Sequence, residues 1–102
     1  MADEKYLNEI AMFGAFDGEK LAGVIATRNQ GTHITLFFVD KTYHRQGIGK
    51  HLFELVKADN STGTITVNSS PYAVEIYKRL GFTPTGPEEI SDGIRFTHME
   101  YR

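Results

Sequence analysis

Apolar and polar positions alternate with a period of two in the first third of the chain. "AMFGAF" (Ala11 to Phe16) reads as a strand, and "DGEK" after it carries an Asp-Gly pair that predicts a hairpin turn. "LAGVIATR" (Leu21 to Arg28) is the return strand, "NQGT" a second turn, and "HITLFFV" (His33 to Val39) a third strand. Strict alternation there places Ile34, Leu36 and Phe38 on one face and His33, Thr35 and Phe37 on the other. From Gly47 the period changes. Ile48, Leu52, Leu55 and Val56 fall on one helical stripe with Phe53 at its edge. "TITVN" (Thr64 to Asn68) returns to a β-branched strand. "SSPYAVEIYKRLGF" predicts a helix with a serine cap, a proline in its first turn, an apolar face of Ala73, Ile76, Tyr77 and Leu80, and a stop at Gly81. "FTPTGPEEI" and "IRFTHMEY" flank "SDG" and predict two final strands. The order is β-β-β-α-β-α-β-β, with a short helix over Asp3 to Ile10 ahead of it. This pattern predicts one α/β domain over residues 1–102, a mixed and mostly antiparallel sheet flanked by helices. The strands on either side of the first long helix are expected to be parallel.

Composition narrows the function classes. Of the 102 residues, 40% are apolar and 24% charged, near the globular average. A formal charge of −2 argues against nucleic-acid binding through bulk charge. No apolar run approaches the ~18 residues of a membrane helix, and the acidic start "MADEKYLNEI" lacks the basic and apolar regions of a secretory signal. A soluble, cytoplasmic protein is the expectation. There is no cysteine, which removes disulfides and a thiol nucleophile. No HExxH pattern occurs, so no metal site is expected.

Candidate chemistry concentrates in "YHRQGIGKHLF", Tyr43 to Phe53. A strand-to-helix turn exposes the first amides of the helix, which lack intrahelical partners, and the helix dipole adds to them. Gly47 and Gly49 leave room for a phosphate there, with Arg45 and Lys50 beside it. A tight corner with no ligand explains the same glycines. The dinucleotide fingerprint fails, since Leu52 stands where a third glycine belongs, and "GIGKH" lacks the spacing of a nucleotide-hydrolase phosphate loop.

"YHRQGIGKHLF" followed by "TITVNSSPYAVEIYKRLGF" resembles the GCN5-related N-acetyltransferase (GNAT) family, over Met12 to the C-terminus. Its Gln/Arg-x-x-Gly-x-Gly/Ala motif is matched by "HRQGIGK", with His44 at the usual Gln/Arg position, and "YKRLGF" places a tyrosine at Tyr77. The resemblance implies an acyl-CoA N-acyltransferase fold in an N-terminally truncated form. The family opens with a strand and one or two helices that build part of the acceptor wall, whereas here the corresponding second strand starts near Ala11. The uncovered flank leads to the expectation of a homodimer.

The resemblance further implies acetyl-CoA as cofactor, its diphosphate on the amides from Arg45 through Gln46, Gly47, Ile48 and Gly49 to Lys50. The amide-bearing arm is expected to pair near Phe38, Val39 and Lys41, with Asn68 and Ser70 as further contacts. Ser70 also reads as the helix cap. The Val39 amide is the oxyanion donor and Tyr77 the acid that protonates the departing thiolate, although spacing alone makes Tyr77 a core residue. His33 is the candidate base, ahead of Glu75 and Glu54. The expected activity is acetyl transfer by direct attack of a primary amine, small molecule or peptide. A non-catalytic acetyl-CoA-binding or regulatory module is the alternative, and a purely structural domain comes third.

Overall fold

The structure is a computed structural model that describes residues 10–102. Strands β1 (Ile10–Asp17), β2 (Lys20–Arg28) and β3 (His33–Val39) form the antiparallel meander that the alternation predicts. The first helix, α1 (Ile48–Asp59), crosses to β4 (Ile65–Ser69), which is parallel to β3. The second helix, α2 (Val74–Leu80), leads to β5 (Thr83–Pro84), β6 (Glu89–Ser91) and β7 (Ile94–Tyr101). The sheet runs β1-β2-β3-β4-β7-β5, with β6 on β7. The helix expected over Asp3 to Ile10 lies outside the described residues, except Ile10, which opens β1.

Both helices cover one face. Cross-strand rows Phe13–Ile25–Phe37 and Ala15–Gly23–Val39 turn toward them. Leu52, Phe53 and Val56 of α1 are fully buried against Ile25, Ile34, Ile65, Val67 and Met99, and each contributes about 1.5–3 kcal/mol through burial. The aromatic rings of Phe53, Phe82, Tyr77 and Tyr101 pack at centroid spacings of 5.1–5.7 Å and close the core beneath α2.

Three expectations need correction. Residue pairing jumps from Ala26↔Leu36 to Thr27↔Ile34, so Thr35 is an extra residue in β3. A bulge of this kind shifts the alternation by one. Ile34 and Phe37 therefore share the helix-covered face, while Leu36 and Phe38 stand 46% and 51% exposed on the other. Helix α2 starts at Val74, not at a serine cap: the Ser70 carbonyl accepts the Ala73 amide (3.1 Å), Pro71 lies in that turn, and Ala73 is the N-cap. The run "FTPTGPEEI" is broken, giving two short strands that both pair with β7. The stop at Gly81 holds. Its φ of 109° is left-handed, and the Phe82 amide returns to the Tyr77 carbonyl (2.9 Å).

Candidate functional site

The site is built where β3 ends. The Asp40 amide donates to Ala22 on β2 (2.8 Å), the Asp40 carboxylate accepts the Thr42 amide (2.9 Å), and its carbonyl accepts the Tyr43 amide (2.8 Å). These bonds close one 3-10 turn over Lys41–Tyr43. The chain then passes through left-handed Arg45 (φ 66°) and Gly47 (φ 79°) into α1. Gly47 caps α1 with no side-chain hydrogen bond, and the first intrahelical bond runs from His51 to the Gly47 carbonyl (2.9 Å). The amides of Ile48, Gly49 and Lys50 thus have no intrahelical acceptor. A Cβ on Gly47 would meet nothing within 4 Å, so the space before these amides is open.

Beside this turn the sheet divides. Strands β3 and β4 pair only at His33↔Thr66 and Ile34↔Val67, although β3 continues to Val39 and β4 to Ser69. Since the Asp40 amide bonds to Ala22, alternation of the antiparallel ladder gives Leu36 and Phe38 to β2 and turns the backbone groups of Phe37 and Val39 toward the gap. His44 Nε2 donates to the Val39 carbonyl (2.9 Å), which fixes the proton on that nitrogen. A cleft of about 290 Å³ follows the gap, lined by Phe37, Val39, His44, Gly49, Lys50, Ala73, Ile76, Tyr77, Arg79 and Leu80. A second hollow of about 320 Å³ continues it past Tyr43, Arg45 and Gly47.

Tyr77 is only 7% exposed, with its ring edge-on to Phe37 at 6.0 Å and to Phe82 at 5.2 Å. Burial pushes its phenol up to about 12. His33 stands at the closed end of the gap, six residues and roughly 20 Å along β3 from Val39. His33 Nδ1 and Thr66 Oγ1 form a 2.7 Å hydrogen bond, and the Thr66 hydroxyl also lies 3.2 Å from the Thr32 carbonyl. Burial, then the charges of Arg28 and His98, lower the His33 pKa.

The structure therefore gathers Val39, His44, Gly49, Lys50 and Tyr77 in the cleft and Arg45, Gly47 and Ile48 in its extension. Gln46 lies in the loop, its side-chain amide turned back to the Thr42 carbonyl (3.4 Å). Phe38, Lys41, Asn68 and Ser70 line neither hollow, and nor do Glu54 and Glu75. The backbone of Phe38 belongs to β2, Asn68 pairs with His98, and Ser70 turns the chain into α2. Phe37 and Arg79 line the cleft without having been singled out from sequence. The one-residue shift in β3 conceals the first, and Arg79 reads as an ordinary helix-end cation. Among the described residues no three His, Asp or Glu side chains cluster to hold a metal, and no helix is long and apolar enough to cross a membrane.

A strand divided beside an uncapped helix start defines a class that the comparisons specify. Residues 1–102 match the family model described as an acetyltransferase (GNAT) domain, and the chain belongs to that family. A curated relative is the peptidyl-lysine N-acetyltransferase YjaB of Salmonella typhimurium, 38% identical over 64 residues, which are 61% of this chain and 43% of the relative. The fold matches the crystal structure of nourseothricin acetyltransferase (TM-score 0.77, 21% identity, 91% of this chain and 65% of the other). It also matches an aminoglycoside 6'-N-acetyltransferase complexed with coenzyme A (0.77, 18%, 96% and 75%). A third match is the PaiA N-acetyltransferase of Thermoplasma acidophilum in complex with coenzyme A (0.73, 22%, 99% and 65%). The chain spans less than half of the curated relative, and 65% of the first of these structures.

Proposed function

We propose that this chain is an acetyl-CoA-dependent N-acetyltransferase that acetylates a primary amine by direct attack. The observation that carries the reading is the parting of β3 from β4 beside the uncapped start of α1. One end offers unpaired amides and cations to a diphosphate, and the other offers strand-edge groups to an amide-bearing arm. The residues fit the cofactor: the space before Gly47 is open, and apolar side chains line the cleft. Bound there, acetyl-CoA supplies an acyl group activated as a thioester. The amides of Ile48, Gly49 and Lys50, with Arg45, would hold the diphosphate, and Phe37 and Val39 would pair with the arm. The Val39 N–H is the proposed donor to developing oxyanion charge, worth about 3 kcal/mol when aimed at it. Tyr77 keeps its proton at neutral pH and gives it to the departing thiolate.

His33 is the proposed base. Burial and the charges of Arg28 and His98 lower its pKa and favour the neutral form, but it lines neither hollow, so at roughly 20 Å from Val39 it would act only through a chain of several waters. A lysine-type amine with pKa near ~10.4 needs such help at neutral pH. The peptidyl-lysine activity in the relative's name supports an amine acceptor, a lysine side chain first among those to try. A cytoplasmic location and a homodimer belong to the same reading. The exposed side chains of Met12, Leu36 and Phe38, on the adjoining rows Met12–Ala26–Leu36 and Gly14–Val24–Phe38, support the dimer.

Titration with acetyl-CoA tests the reading. At ~100 times its dissociation constant it should add about 2.7 kcal/mol of stability, seen as a rise in Tm. No response rules the reading out. Free-thiol release with a panel of lysine peptides, polyamines and aminoglycosides then separates an enzyme from a binding module, which would respond without turnover.

A further inference from the structure

The loop between β3 and α1 contains a residue that does not adopt its conformation readily. Arg45 has φ 66°, a left-handed geometry that disfavours a side chain and persists only where the surroundings hold it. Three side chains could hold it. His44 reaches back to Val39 on the strand the loop has just left, and Gln46 reaches Thr42 inside the loop at a long 3.4 Å. Tyr43 alone ties the loop to a different part of the fold. Its hydroxyl donates to Asp17 Oδ2 (2.9 Å) at the end of β1, where the chain turns into β2. Lys20, just past that turn, places Nζ 5.6 Å from the centre of the same ring. The tie is in reach because the Asp40 amide is bonded to Ala22 of β2, which brings the loop over the tip of the β1–β2 hairpin. The ring of Tyr43 also lines the outer hollow with Arg45, Gly47 and Arg79.

We propose that Asp17, acting through the hydroxyl of Tyr43, is a positioning residue for the cofactor's diphosphate. The β1–β2 hairpin is then the buttress of the phosphate loop. With the tie made, Arg45 is kept left-handed, and its amide and guanidinium stand beside the open space before Gly47. With the tie cut, Arg45 relaxes and the amides lose their shared aim, while the core beneath α1 is untouched. Asp17 favours the protonated phenol, which is the donor form the tie requires, and raises the Tyr43 pKa. The inference rests on the acetyl-CoA reading above.

Calorimetric titration of the parent chain with acetyl-CoA, set beside Tyr43→Phe, Asp17→Ala, Asp17→Asn and the double variant Asp17→Ala/Tyr43→Phe, tests it. Tyr43→Phe and Asp17→Ala should each raise Kd about three- to tenfold, the range of one hydrogen bond. The double variant should be no weaker than either single one, because both remove the same bond. Asp17→Asn keeps an acceptor oxygen and should restore most of the affinity. Thermal unfolding without ligand should change little across the set. A Kd unaltered in Tyr43→Phe overturns the inference, and so do additive losses in the double variant or a fall in Tm that accompanies unchanged affinity. A parent chain that does not bind acetyl-CoA overturns the acetyl-CoA reading itself, a result distinct from any of these.

Discussion

Tyr77 sits between Phe37 and Phe82, where an ionised phenolate would lose water without gaining a partner. Its pKa is raised from 10.0 to about 12, so the folded state binds its proton more tightly than the unfolded chain does. The contribution to stability is therefore complete below pH 10 and is lost as pH climbs from about 10 to about 12. Over that window it amounts to roughly 2–3 kcal/mol. Urea unfolding of the parent chain at pH 9 and pH 11 should show this decline, and Tyr77→Phe should flatten it. The same substitution should lower the rate of thiol release roughly 100-fold or more, the usual contribution of an acid group. An unchanged rate would return Tyr77 to the core residue that its helical spacing suggests.

Among the elements, the start of α1 concentrates the candidate chemistry, and its two glycines do different things. Gly47 adopts φ 79°, which a Cβ disfavours by about 1–2 kcal/mol. Gly49 lies within the helix, and a Cβ there would meet Phe37 and Val39 at 3.7 Å, an ordinary contact. Gly47→Ala should therefore lose about 1–2 kcal/mol in urea unfolding. Gly49→Ala should be neutral or gain up to about 1 kcal/mol from helix propensity. This glycine turn was legible in the sequence because it follows a strand and opens an amphipathic helix. So were the meander, the parallel pair across α1 and the stop at Gly81. The facing of β3 was not, because a single extra residue at Thr35 reverses the alternation without leaving a mark in composition. The start of α2 was misplaced because Ser70 and Pro71 make a turn of their own ahead of the helix. Within the site, the glycine loop could be read from spacing, whereas Tyr77 was reached through the family resemblance, since its helical spacing alone marks a core residue. The contribution of Phe37 and the tie from Tyr43 to Asp17 depend on tertiary contact and had no local signal.

At the scale of the molecule the two faces of the sheet differ. Helices α1 and α2 cover one. The other shows Met12 63%, Leu36 46% and Phe38 51% exposed, with Phe16 at 66% near the end of edge strand β1. Large apolar side chains in adjoining rows are the usual mark of a contact surface. On the homodimer proposal, analytical ultracentrifugation at micromolar concentration should find dimers. Leu36→Lys/Phe38→Lys should give monomers that still respond to acetyl-CoA, since neither residue lines the cleft. A parent chain that sediments as a monomer would set the homodimer aside.

The division between β3 and β4 reaches beyond the chemistry. After two residue pairs β3 and β4 part, the helices α1 and α2 back the opening, and the edges of Phe37 and Val39 face the lane between the strands. On the acetyl-CoA reading, the donor is in effect the missing rung of the ladder. Filling that lane would stitch the two halves of the sheet together, so added acetyl-CoA should slow the proteolysis of the purified chain.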